Sequence, residues 1–112
     1  MNEVREIIDY IVAFRNERNW EQFHNPKDLA VALSIEAGEL NELFLWKTPA
    51  QAAETDREAI ADELADVLVY ALFLAEKFDF DVKEIIFRKM KKNAEKYPVE
   101  KSRNLALKYT QL

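Results

Sequence analysis

Two pairs of acidic residues sit inside otherwise apolar stretches of this 112-residue chain. The first is Glu36 and Glu39, with Glu42 one step further; the second is Glu63 and Asp66. If both stretches are helical, each pair shares a face, with Cβ atoms roughly 5–6 Å apart. Leu33, Ile35, Leu40, Leu43, Val67 and Leu68 surround them and draw both helices toward a core, where carboxylates rarely go unpaired. Four acids brought together repel one another unless they take up protons or bind cations. All the donors are oxygen, which suits a hard divalent cation, Mg²⁺ or Mn²⁺. Zinc would prefer Cys or His, and the chain has no Cys and one His. A carboxylate di-iron bundle needs two Glu-x-x-His pairs, and His24 follows no such Glu. Mg²⁺ held by a few carboxylates commonly completes its shell with phosphate oxygens, so the pattern points to a polyphosphate ligand. The bland alternative is a pair of solvated acidic helix faces.

Four helices and a tail are expected to carry these residues. The first runs from about Glu3 to Arg18, with Asn2 as cap and Ile7, Ile8, Ile11, Val12 and Phe14 as its apolar stripe. Trp20 to Asn25 reads as a loop. Asn25-Pro26 starts the second helix, which extends to about Trp46. Thr48-Pro49 opens a short turn. Thr55, followed by Asp56 and Glu58, caps a third helix ending near Phe78. Asp81 with Glu84 three residues on starts the fourth, which ends before Pro98. Residues 98–112 show no periodicity. The one glycine, Gly38, falls mid-helix at a cost of about 1 kcal/mol relative to Ala, and a close helix contact would explain it.

Composition agrees with one domain spanning 1–112. Hydrophobic residues make up 49% of the chain, too many for disorder. Met1 to Tyr10 is too charged for a signal peptide. The longest apolar run, Val67 to Ala75, is far short of the roughly 20 residues that span a bilayer. A cytoplasmic protein without membrane contact is expected. Val67 to Ala75 is apolar all the way round, and such a helix is normally buried on every side. One small subunit cannot cover it, so an all-α, four-helix bundle-like subunit intertwined in a homo-oligomer is expected. The net charge of −5 hides an asymmetry. Residues 1–87 hold 8 Lys and Arg against 19 Asp and Glu, whereas residues 88–112 hold 8 against 2. The basic end could hold a polyanion or simply complement its own helix dipole.

Longer strings carry a family resemblance. Trp20-Glu21-Gln22-Phe23-His24-Asn25-Pro26 leads into Glu36-Ala37-Gly38-Glu39-Leu40-Asn41-Glu42-Leu43-Phe44-Leu45-Trp46. Glu63-Leu64-Ala65-Asp66 follows, then Lys89-Met90-Lys91-Lys92-Asn93-Ala94-Glu95-Lys96-Tyr97-Pro98. From about Trp20 to Leu112 the chain resembles the MazG-like nucleotide pyrophosphohydrolases of the all-α NTP pyrophosphatase superfamily, and most of all their dCTP pyrophosphatase branch. The acidic pairs mark the superfamily; the Trp20–Pro26 and Lys89–Pro98 segments mark the branch. The resemblance implies Mg²⁺-dependent hydrolysis of (deoxy)nucleoside triphosphates to monophosphate and pyrophosphate, in the service of nucleotide-pool cleansing. It implies metal ligation and catalysis by Glu36, Glu39, Glu63 and Asp66. It places Lys89 and Asn93 near the phosphates, Lys96 and Tyr97 around the substrate, and Trp20, His24 and Trp46 near the base. It also implies a homodimer or homotetramer with sites at subunit contacts. The connector from Lys47 to Asp62 is shorter than in the family.

Read from the residues alone, Trp20 and Trp46 also suit core or interface packing, and His24 could instead satisfy loop backbone. Lys89, Asn93 and Lys96 share a helix face that fits phosphate or solvent equally. In the expected chemistry, metal at the carboxylates neutralises charge growing on the pyrophosphate leaving group, and a water activated by metal or by a Glu attacks in line. One glycine rules out a Gly-rich phosphate loop. The alternatives are a non-enzymatic helical protein-interaction module with a solvated acidic face, and a nucleic-acid binder using the basic tail. Overall acidity, and acids set in apolar segments, count against both.

Overall fold

The first helix, α1, spans Glu3–Glu17 because Asn2 stops solvent from fraying it: the Asn2 side chain accepts from the Val4 N–H at 2.9 Å. The computed structural model describes residues 2–112. Helix α2 spans Pro26–Glu42, with Pro26 at its first position and Asn25 Oδ1 accepting from the Asp28 N–H at 2.9 Å. A five-residue α3, Pro49–Ala53, is closed by a reciprocal capping box between Thr48 and Gln51. Helix α4 spans Arg57–Lys77, α5 spans Val82–Lys96 and α6 spans Val99–Ser102. Short 3-10 turns cover Glu21–Phe23 and Tyr109–Gln111. The described residues contain no strand, and none of their helices is long and apolar enough to cross a membrane.

Four boundaries differ from expectation. Helix α2 ends at Glu42, not Trp46. Leu43, Phe44 and Leu45 continue with tighter i to i−3 bonds, and Trp46 turns left-handed at φ 61°. Downstream, Pro49 disfavours a helical Thr48, and Thr48 is extended at φ −70° and ψ 162°. The cap of α4 is Asp56, which accepts from the Glu58 N–H, and not Thr55. The Thr55 hydroxyl accepts from Lys47 Nζ at 3.1 Å instead, tying the start of the connector to its middle. Glu21–Phe23 is a turn of helix inside the expected loop, and the aperiodic tail contains α6. The start of α5 is as expected, with Asp81 accepting from the Glu84 N–H at 2.9 Å.

The chain forms two compact units, one ending at Asp79 and the other Phe80–Leu112. In the first, α2 packs along α4 and α1 packs against α4. Its core is small: Ile8, Leu29, Phe73 and Ala75 are buried. Leu29, at 1% exposure, contributes about 2 kcal/mol by area burial alone. Ile35 on α2 and Leu64 and Leu68 on α4 remain exposed, whereas Phe73 and Ala75 further along α4 are buried. A β-carbon added at Gly38 would meet nothing within 4 Å. The close helix contact expected there is therefore not made inside this chain.

Candidate metal centre and adjoining apolar pocket

Packing α2 along α4 brings carboxylates together from both. One oxygen each of Glu36, Glu39 and Glu63 lies within 4.8 Å of the others. Asp66, one turn beyond Glu63, stands outside this closest group but near enough for its charge to act on Glu36 and Glu63. Among the described residues, no Lys or Arg forms an ion pair with any of the four. Glu36 Oε2 and Glu63 Oε2 are buried and meet no hydrogen-bond partner. Desolvation pushes the Glu36 carboxyl up to about 7, helped by the hydrogen bond that its protonated form donates to Glu39 and by the charges of Glu39, Asp66 and Glu63. Desolvation and Glu39 raise Glu63 in the same direction. Orphaned, buried, negatively charged oxygens are costly unless something fills them. A hard divalent cation fits this donor set.

The strain on these acids has a measurable consequence. In chelator, folded Glu36 holds a proton up to about pH 7, whereas the unfolded chain releases it near 4.5. Stability therefore falls as pH rises through 7. His24, lowered from 6.5, acts in the opposite sense, and its effect fades as pH rises past that value. The metal-free protein should thus melt at a higher temperature at pH 6.5 than at pH 8, and excess Mg²⁺ should erase the difference by displacing the proton. Scanning calorimetry at the two pH values, with chelator or with Mg²⁺, checks this; a flat or rising chelator profile would contradict it.

Beside the carboxylates lies an apolar pocket of about 270 Å³. Helix α1 contributes Tyr10, Ile11 and Phe14, the following turn contributes Trp20 and His24, and α4 contributes Asp66, Val69, Tyr70 and Phe73. Asp66 is thus common to the pocket and the acidic surroundings. The His24 ring stands 5.0 Å from Phe73 and 6.4 Å from Tyr70, and the Trp20 ring meets Phe14 edge-on at 5.9 Å. Desolvation lowers the His24 pKa, followed by the charges of Arg15 and Lys77, so the ring is neutral at pH 7. Its Nδ1 is buried without a partner. Desolvation raises the Tyr70 hydroxyl, as do the charges of Glu36, Asp66 and Glu39.

The other expected site residues have surroundings of their own. Trp46 is 94% exposed and borders a shallow hollow with Gly38, Asn41, Glu42, Phe44 and Leu45. Glu42 belongs to that hollow and not to the three-carboxylate group. Lys89, Asn93 and Lys96 lie along α5 in the second unit, where Tyr97 caps the helix. Lys96 Nζ sits 4.8 Å over the Tyr109 ring, and Tyr97 meets the same ring edge-on at 6.0 Å. Sequence reasoning missed Tyr70 and Phe73, although both were findable: Tyr70 is four residues past Asp66, and Phe73 three further, on one helix face. Tyr10 and Ile11 gave no such signal, because only tertiary packing brings α1 to the pocket.

Comparison with known proteins places this geometry in context. A model of the MazG-like family matches residues 31–112. The chain is 44% identical over 104 residues to dCTP pyrophosphatase 1 of Rattus norvegicus, covering 88% of this chain and 61% of that protein. Against dCTP pyrophosphatase 1 of Homo sapiens the identity is 42% over the same length, again with 88% and 61% covered. The chain therefore spans less than two thirds of these relatives. A crystal structure of a pyrophosphatase from Archaeoglobus fulgidus superposes with a TM-score of 0.82 at 38% identity, covering 88% of this chain and 94% of that one.

Proposed function

This chain belongs to the MazG-like family, and on that premise we propose that it hydrolyses (deoxy)nucleoside triphosphates to monophosphate and pyrophosphate. The observation that carries the reading is the three-carboxylate group with two orphaned buried oxygens beside an aromatic pocket. A charged clamp next to an apolar slot matches a ligand that is polyanionic at one end and aromatic at the other. Mg²⁺, or Mn²⁺ in its place, is the cation assigned to Glu36, Glu39, Glu63 and Asp66; when bound it supplies charge neutralisation for a triphosphate and its leaving group. The protein's own part is to accept a proton and to orient the base. One of these carboxylates, or the cation itself, would activate the attacking water. Trp20 and His24 are assigned to the base, together with Trp46 and Tyr97; Lys89, Asn93 and Lys96 are assigned to phosphate oxygens. The similarity to two proteins named dCTP pyrophosphatase 1 makes dCTP the first substrate to test. Cleansing the cytoplasmic nucleotide pool is the role in keeping with that chemistry.

Assembly belongs to the same proposal. Exposed Ile35, Leu64 and Leu68 on the helices that carry the acids favour a homodimer or homotetramer. The test is release of pyrophosphate from a panel of triphosphates. We expect turnover of dCTP with Mg²⁺, retention with Mn²⁺, and loss in excess chelator once removal of metal is verified. Full activity in verified metal-free protein would end the metal-dependent reading, and no turnover of any triphosphate would end the hydrolase reading.

A further inference from the structure

Arg15 is the one charged side chain that is buried among the described residues, at 3% exposure. Burying a guanidinium is costly unless every contact is made, and an apolar side chain of similar length would fill the space more cheaply. The contacts show what the charge holds. Nε donates to Asn16 Oδ1 at 3.1 Å, Nη1 donates to Glu76 Oε2 on α4 at 3.1 Å, and Nη2 lies 3.7 Å from Glu21 Oε2. Lys77 Nζ reaches the other Glu21 oxygen at 3.4 Å. The Arg15 carbonyl accepts from the Trp20 N–H at 3.1 Å. One residue thus ties the turn carrying Trp20 and His24 to α1 through its backbone and to α4 through its side chain. Its guanidinium also stands 5.9 Å over the Phe73 ring, against which His24 is seated at 5.0 Å. Only a forked, multi-donor cation can serve two carboxylates and an amide at once.

We propose that Arg15 is a positioning residue for the aromatic pocket: it locks the Trp20–His24 turn onto α4 and so sets where the base is held. The inference rests on the reading of that pocket as the base site. Arg15 lines neither the pocket nor the acidic group, so it acts through the turn and through Phe73. Loosening it should spoil recognition of the base and spare recognition of phosphate.

His24 is the only histidine in the chain, so its ring-proton NMR resonances are unambiguous and report its seat on Phe73 without any ligand. Arg15→Met should shift those resonances as the ring current of Phe73 is lost. It should raise the KM for dCTP by about tenfold, the loss of part of one base-stacking contact, with a much smaller change in kcat. Inhibition by inorganic triphosphate should be unchanged. Arg15→Lys, which keeps charge without the fork, should recover only part of the loss. Glu21→Gln removes the tether from the exposed side and leaves the Arg15–Glu76 pair; it should move His24 the same way by less, and it decides the matter if Arg15→Met does not fold. Unmoved His24 resonances in a folded variant, or equal losses toward dCTP and inorganic triphosphate, would overturn the proposal. If the wild-type protein turns over no triphosphate, the base-site reading fails on that result, while the His24 resonances still decide whether Arg15 seats the turn.

Discussion

Glu39→Gln should cut pyrophosphate release by about three orders of magnitude, because a lost cation contact removes several kcal/mol of charge stabilisation and each 1.4 kcal/mol is tenfold. Asp66→Asn should fall in the same range for a different reason. It stands outside the closest carboxylate group yet borders the apolar pocket, so its charge sits where the two ends of the ligand would join. Neither change should unfold the protein. Both side chains are exposed, and each amide keeps the shape of the acid it replaces. Removing a charge should in fact relieve the part that Glu39 adds to desolvation in pushing Glu36 up to about 7. The Glu39→Gln protein in chelator should therefore melt higher at pH 8 than wild type and lose part of its dependence on pH between 6.5 and 8. Steady-state turnover and calorimetry on the same preparations test both halves. Rates near wild type in both variants would move the catalytic centre elsewhere. Lower stability in chelator would mean that the acids are held by partners other than one another.

What could be read from the chain, and what could not, divides along physical lines. Glu36 with Glu39, and Glu63 with Asp66, were legible because helical spacing alone puts each pair on one face. The caps at Asn2, Asn25 and Asp81 were legible because a short polar side chain ahead of a helix has a specific job. The end of α2 was not, because Leu43 to Trp46 continues the apolar pattern while the backbone leaves the α-helix after Glu42. Thr55 and Asp56 are both good caps, and Lys47 occupies the first of them. That α2 packs on α4 was assumed from their acids, and the pairing is present. The buried Arg15 was invisible, since nothing in the sequence distinguishes it from exposed Arg18 three residues on. Of the apolar α4 run, Leu68 is 53% exposed while Phe73 and Ala75 are buried. The glycine was read less well, for Gly38 faces open space within the chain.

Trp20→Ala should weaken dCTP binding about tenfold to a hundredfold while leaving inorganic triphosphate binding unchanged, the span expected for one aromatic face stacked on a base. Two features single out Trp20 among the aromatic residues. It lines the pocket that also holds His24 and Asp66, and its ring is braced edge-on by Phe14, whose own face is covered by Arg18 at 3.5 Å. A braced ring loses little freedom when a ligand arrives, so its contact area is converted to affinity efficiently. Trp46 offers the instructive contrast. At 94% exposure and φ 61° it packs on little, so Trp46→Ala should change the stability of the subunit by no more than about 0.5 kcal/mol. Any loss of dCTP affinity in that variant would then reflect ligand contact or assembly, and light scattering on the same sample separates the two. Titration calorimetry with dCTP and with inorganic triphosphate gives the deciding ratio for Trp20. If Trp20→Ala loses affinity equally for both ligands, the tryptophan holds the turn and does not read the base; specificity would then have to come from polar groups at the base edge, of which His24, with its unpartnered Nδ1, is the first to examine.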